Sequence, residues 1–213
     1  MGVIALSGFR TEPGRLEDHL AAAAEAVEHL RRLGLQAVNL QAVAGGDVGT
    51  VATSINYADN TAYVKGLQAI LGDEAWQDFW GRAASGGSAT QVESSLFSDV
   101  DQSFQPAADR PLGVVLATQW RAKPGRLVDF MTNVATSIPH IERMGGTPRQ
   151  MQCLIGAHPM TALITTTFAD LDAYGEYSDT LATDDQWQGF WAGAMADPTA
   201  DLLRTGLYLN ISD

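Results

Sequence analysis

The feature that most constrains this chain is that it repeats itself. Shifted by 111 residues, the sequence meets itself without a gap, with about 25 identities over about 100 positions. Arg10, Pro13, Gly14, Arg15 and Leu16 meet Arg121, Pro124, Gly125, Arg126 and Leu127. His29, Arg32, Gly34 and Gln41 meet His140, Arg143, Gly145 and Gln152. Asp73, Trp76, Gln77, Phe79 and Trp80 meet Asp184, Trp187, Gln188, Phe190 and Trp191. Three aromatic residues in register do not arise from shared composition, so the chain reads as a duplication. The organisation expected is one unit over residues 1–100, a linker over 101–113 rich in Asp, Gln, Ser and Pro, and a second unit over 114–213.

Each unit carries the same order of signals. Val3 to Phe9 is apolar and suits a strand, and Pro13-Gly14 ends it. Leu16, Leu20, Ala23, Val27 and Leu30 recur at helical spacing up to Gly34. Leu35 to Val43 and Thr50 to Tyr57 read as a hairpin around Gly45-Gly46-Asp47. Asp59 caps a second helix, Asp73 caps a further turn or two, and Gln91 to Val100 reads as a last strand. The order is βαββαβ, a split βαβ or ferredoxin-like unit. Two such units predict an α+β chain with the sheets packed face to face, each covering the other's open side.

This pattern resembles the dimeric α/β-barrel superfamily, here as a fused tandem, and within it is similar to NIPSNAP-like proteins. The residues carrying the likeness are Phe9 with Pro13, Gly14, Arg15 and Leu16, their counterparts from Trp120 to Leu127, the helix-ending glycine, and the late Asp-x-x-Trp-x-x-Phe. The resemblance implies a small-molecule enzyme, since the superfamily includes cofactor-free monooxygenases and cyclases, lactone isomerases, and haem-binding chlorite dismutase-like and haem-degrading enzymes. The fold supplies that range and does not choose within it.

Composition narrows the partners. The formal net charge is -12, which repels a nucleic-acid backbone and an anionic membrane. A single cysteine, Cys153, allows no internal disulfide. With no run of about 18 apolar residues and no charged leader, the expectation is a cytoplasmic protein, able to form a homo-oligomer. No GxGxxG, P-loop, HExxH or GxSxG motif is present.

The sequence offers these candidates for a site. Strand alternation sets Asn39 and Gln41 on one face, and Ser54 and Asn56 on one face of the neighbouring strand; Gln150, Gln152, Thr165 and Thr167 repeat the arrangement. Such groups either hydrogen-bond a substrate or join the two sheets. Tyr63, Trp76, Tyr174 and Trp187 either wall a flat organic ligand or form helix packing faces. His140 and its twin His29 lie off the apolar stripe near a helix end, and His158 falls in the second hairpin turn. His19 has Phe130 as its counterpart and reads as a surface residue. Arg121, at the end of a strand, either clamps a carboxylate or pairs with helix acids. The leading expectation is an enzyme that needs no bound cofactor and takes a hydrophobic or aromatic substrate between a sheet and its helices. In it His140, His158, Gln152 and Gln41 serve catalysis, while Asn39, Asn56, Tyr63, Trp76, Tyr174, Trp187 and Arg121 bind substrate; no metal is expected. The alternatives are a haem protein, which needs a buried histidine facing an apolar slot, and a non-catalytic binding or assembly module.

Overall fold

The computed structural model describes residues 2–101, 104, 112–156 and 160–212. The first half runs β1 (Val3–Thr11), α1 (Leu16–Arg32), β2 (Gln36–Gly45), β3 (Thr50–Tyr57), α2 (Asn60–Gly72), α3 (Glu74–Gly86) and β4 (Ala89–Asp99). The second runs β5 (Val114–Ala122), α4 (Leu127–Arg143), β6 (Thr147–Ile155), β7 (Thr161–Phe168), α5 (Leu171–Thr183), α6 (Asp185–Ala196) and β8 (Ala200–Asn210). The turn or two expected after Asp73 and Asp184 is in both cases a full third helix. Each aspartate supplies the side-chain cap that starts it, accepting from the backbone N–H of Trp76 or Trp187 at 2.7 Å.

The strands do not form two sheets stacked face to face. They close into one antiparallel barrel in the order β1-β3-β2-β8-β5-β7-β6-β4. The halves meet edge to edge at two seams, β2 with β8 and β4 with β6. Closure removes the exposed edges that two separate sheets would leave. Each seam carries a bulge at an equivalent position, beside Val43 in one and Leu154 in the other. Because all neighbours are antiparallel, β1 and β5 run the same way, and the pseudo-two-fold axis relating the halves lies along the barrel.

Alternation then assigns every strand residue to the helices or to the barrel lumen. On the helix side, Val3, Leu30, Tyr57 and Leu96 share one cluster. Val114, Ile141 and Phe168 form its counterpart in the other half, with Leu207 packed against them. In the lumen, Ile4, Phe97, Met151, Cys153 and Leu163 form a third cluster to which both halves contribute. Phe97 and Leu30 are essentially fully buried, and each contributes about 1.5–3 kcal/mol by leaving water. Among the described residues, no helix is long and apolar enough to cross a membrane.

Candidate functional site

The residues that the repeat preserves most strongly hold helices together. Arg143 donates two hydrogen bonds of 2.7 Å to Asp184, the same aspartate that caps α6. Arg32 grips Asp73 in the same way. The guanidinium beside each carboxyl, with the cap, holds Asp73 and Asp184 below the usual carboxylate range. His140 packs on Phe190 and Trp187, with ring centroids 5.5 and 6.3 Å apart, and His29 packs likewise on Phe79 and Trp76. Both histidines therefore sit in a helix–helix contact, half-buried. Tyr63 and Tyr174 pack edge-on against Tyr57 and Phe168.

The two polar strand pairs do not share a wall. In the observed register Asn39 lies opposite Thr53, while Ser54 and Asn56 lie opposite Val38 and Gln36. Asn39 and Gln41 thus face the helices, and Ser54 and Asn56 face the lumen. Asn39 is buried, donates to the Ala23 carbonyl at 2.6 Å and accepts from Thr53 at 2.8 Å. Gln150 repeats this, donating to the Val134 carbonyl at 2.9 Å. These amides tie a strand to the middle of a helix. Gln41 and Gln152 are half-buried on the same helix side and line neither of the two cavities described below. Arg121 is exposed at the end of β5, and His158 lies outside the described residues.

Of the expected binding residues, the structure brings Asn56 to the lumen and Trp187 to a separate cavity. The lumen cavity has a volume of about 880 Å3. Toward the linker end, Arg149 donates to both oxygens of Asp99 at 2.6 and 2.9 Å and to Asn56 at 2.7 Å, under the ring of Phe104. Toward the hairpin end, Arg204 donates to Glu93 at 2.5 Å and lies 3.5 Å from Asp47. Tyr208 donates its hydroxyl to Asp47; burial, then that bond, push its pKa well above the usual tyrosine value. Glu93 and Arg204 are themselves equivalent under the 111-residue shift, so duplicated positions now carry opposite charges and meet across the axis.

The second cavity, about 200 Å3, lies between the sheet and helices of the second half. Trp120, Phe130, Trp187, Phe190 and Trp191 wall it, and Trp187 stacks on Trp191 with centroids 5.9 Å apart. Its polar groups include Asn133, whose amide donates to Thr199 at 3.3 Å, and Tyr177. The Tyr177 hydroxyl has no hydrogen-bond partner among the described residues. Burial, with Tyr174 nearby, pushes its pKa up to about 12, so it is a neutral donor at pH 7.

His19 is the one histidine the sequence reading misplaced. It is buried rather than on the surface, hydrogen-bonded through Nδ1 to Thr11 Oγ1 at 2.8 Å and edge-on to Phe9. Burial lowers its pKa. An unfolded chain therefore binds a proton at about pH 6.5 that the folded chain refuses, and stability falls as pH drops below that value. Installing the other half's residue, His19→Phe, is expected to flatten the Tm–pH curve between about pH 6.5 and 5. Equal slopes for the two proteins would refute this.

No protein-family model matches the chain, and no curated protein matches it by sequence. Solved structures do match its shape. A candidate monooxygenase of Fusobacterium nucleatum subsp. nucleatum superposes with a TM-score of 0.65 at 12% identity, over 99% of this chain and 94% of that one. An anthrone oxidase-like protein gives 0.59 at 10%, over 99% and 91%. A candidate chlorite dismutase gives 0.57 at 11%, over 99% and 94%. The chain thus has the fold of the dimeric α/β-barrel proteins. The likeness to a chlorite dismutase raises haem. Among the described residues no histidine lines either cavity, and the buried His19 is engaged by Thr11. The residues described do not fit a histidine-ligated haem.

Proposed function

We propose that the chain is an enzyme acting on a small, flat, largely apolar organic molecule held in the sheet–helix cavity of the second half. The observation that carries this is the Tyr177 hydroxyl, unpaired among the described residues, in an aromatic-walled space of about 200 Å3. An apolar cavity of roughly 150 Å3 already accepts benzene, so this one suits a ligand of one or two rings. The described lining residues include no carboxylate and no imidazole, so they supply donors rather than a base. A substrate that ionises readily fits such a site. Tyr177 and the Asn133 amide would stabilise the oxyanion of its phenolate or enolate, and the tryptophans would stack on its ring. With O2 as co-reactant, a ring CH2 becomes a carbonyl; one oxygen atom enters the ring and the other leaves as water with the two hydrogens. The monooxygenase and anthrone oxidase-like relatives in shape support this class, and cyclisation or isomerisation would use the same donors. The repeated element order also supports reading the chain as a fused tandem of NIPSNAP-like character.

The lack of an acid or base among the described lining residues favours one other reading, binding without chemistry. Quenching of tryptophan fluorescence by 1-naphthol and anthrone, together with oxygen uptake on anthrone, separates the two. The expected result is saturable quenching with oxygen uptake, both weakened at least about tenfold by Ala194→Trp, which fills the cavity, with Tm held. Quenching without uptake of oxygen supports the binding reading. No quenching refutes both.

A further inference from the structure

The lumen holds a feature that neither its packing nor the proposed activity uses. Gln119 on β5 is 2% exposed, and its Nε2 donates to Thr161 Oγ1 at 3.1 Å. Its Oε1 is fully buried and is without a partner among the described residues, and Gln119 lines the lumen cavity. A buried carbonyl oxygen left without a donor is destabilising, and native proteins rarely keep one without use.

The surroundings say what kind of donor it awaits. Gln119 lies directly across the ladder from Arg204, and Gly8, its equivalent in the first half, lies across from Glu93. In this layer Arg204 is matched by Glu93 and Asp47, two carboxylates against one guanidinium, with Tyr208 held neutral by burial. Both oxygens of Glu93 are engaged, by Ser95 and Arg204, whereas only Oδ2 of Asp47 is. One net negative charge and one unpaired acceptor therefore sit together at the hairpin end. Below them the wall is apolar, including Leu6, Leu40, Ala117 and Leu163.

We propose that the barrel lumen is a binding site for a small organic cation, a protonated amine on an apolar body. Its ammonium donates to Gln119 Oε1 and answers the excess carboxylate charge of the Asp47–Glu93–Arg204 layer. Its apolar body lies along the aliphatic middle of the barrel. The cavity volume falls in the range that small-molecule sites occupy. The overall charge of -12 draws cations toward the protein. This site is distinct from the sheet–helix cavity and does not depend on what that cavity binds.

The test is calorimetric titration of the full chain with 2-phenylethylamine, its neutral analogue 2-phenylethanol and the anion 3-phenylpropionate. The amine is expected to bind at least about tenfold more tightly than the alcohol, with the anion weakest. Gln119→Met keeps the side chain's length, removes Oε1 and is expected to weaken the amine about tenfold. Asn133→Leu, which fills the other cavity, is expected to leave it unchanged. In the unmutated protein, the amine should shift the Gln119 side-chain amide signal in NMR, a readout that no folding defect can mimic. Three results would each overturn the proposal: equal binding of amine and alcohol, amine binding that Asn133→Leu abolishes, or an unmoved Gln119 signal at saturating amine. The last would leave Oε1 to water alone.

Discussion

Replacing Arg149 with methionine is expected to cost about 3–5 kcal/mol of stability, because it strands a buried carboxylate. The Asp99 side chain is 1% exposed and Arg149 10%, so water cannot substitute for the lost guanidinium. At about 2–4 °C per kcal/mol for a chain of this size, Tm should fall by roughly 10 °C. The contact spans the β4–β6 seam, so the loss falls where the halves join. Methionine retains the aliphatic length that packs against Phe104, which makes the missing charge the main change. Adding Asp99→Asn, the residue found at the equivalent position 210, removes the stranded charge. The double variant should regain a large part of the loss, although it restores no ion pair. A double variant no more stable than Arg149→Met alone would show that the pair matters for packing and not for charge. Thermal unfolding of the three proteins decides this.

The same ion pair shows where sequence reasoning stops. The repeat, the strands, the first helix of each unit and the Asp59 and Asp170 caps were legible, because they rest on local spacing and on rare residues in register. Closure into one barrel was not, because the seams pair β2 with β8 and β4 with β6, and nothing within either strand names a partner so distant in sequence. The missed seams hid the lumen, and with it the significance of Arg149, Glu93, Gln119 and Arg204. A signal existed: Arg149 and Arg204 are charged residues inside apolar strands, and the shift that aligns the repeat sets Glu93 against Arg204. Alternation gave the right parity within each strand but not the register between strands. A one-residue offset turns a whole set of side chains to the other face, so Asn39 and Asn56 parted. The aromatic repeat was read as either pocket wall or packing face, and it is both. Trp76 and Trp187 each pack against a histidine, and Trp187 also lines the second-half cavity. For His19 the helical spacing was misjudged: the helix turns it inward beside Ala23, where the other half holds Phe130.

Closure itself can be tested at Gly45, where a substitution is expected to cost about 2–5 kcal/mol. This glycine ends β2 at the β2–β8 seam with φ of 96°, in the left-handed region. A Cβ built there would come 2.3 Å from the Thr205 carbonyl oxygen and 2.8 Å from Gly206 Cα, both backbone atoms of the opposing strand. Alanine at Gly45 therefore brings conformational strain of about 1–2 kcal/mol and a backbone clash of about 1–3 kcal/mol that no side-chain rotation relieves. Two other glycines separate these effects. Gly14 has a φ of 77° with open space around it, so Gly14→Ala reports strain alone, about 1–2 kcal/mol. Gly46 has open space and no such φ, so Gly46→Ala should change stability by less than about 0.5 kcal/mol. The second seam repeats the design, with Gly156 at the equivalent position against Ser95. Its nearest neighbour is a side-chain hydroxyl that can turn away, so Gly156→Ala should cost less than Gly45→Ala. Hydrogen exchange in Gly45→Ala should then rise first along Leu40–Gly45 and β8 and leave the β4–β6 seam protected. Uniform acceleration around the barrel would mean that the seams do not open separately and that the two halves unfold as one.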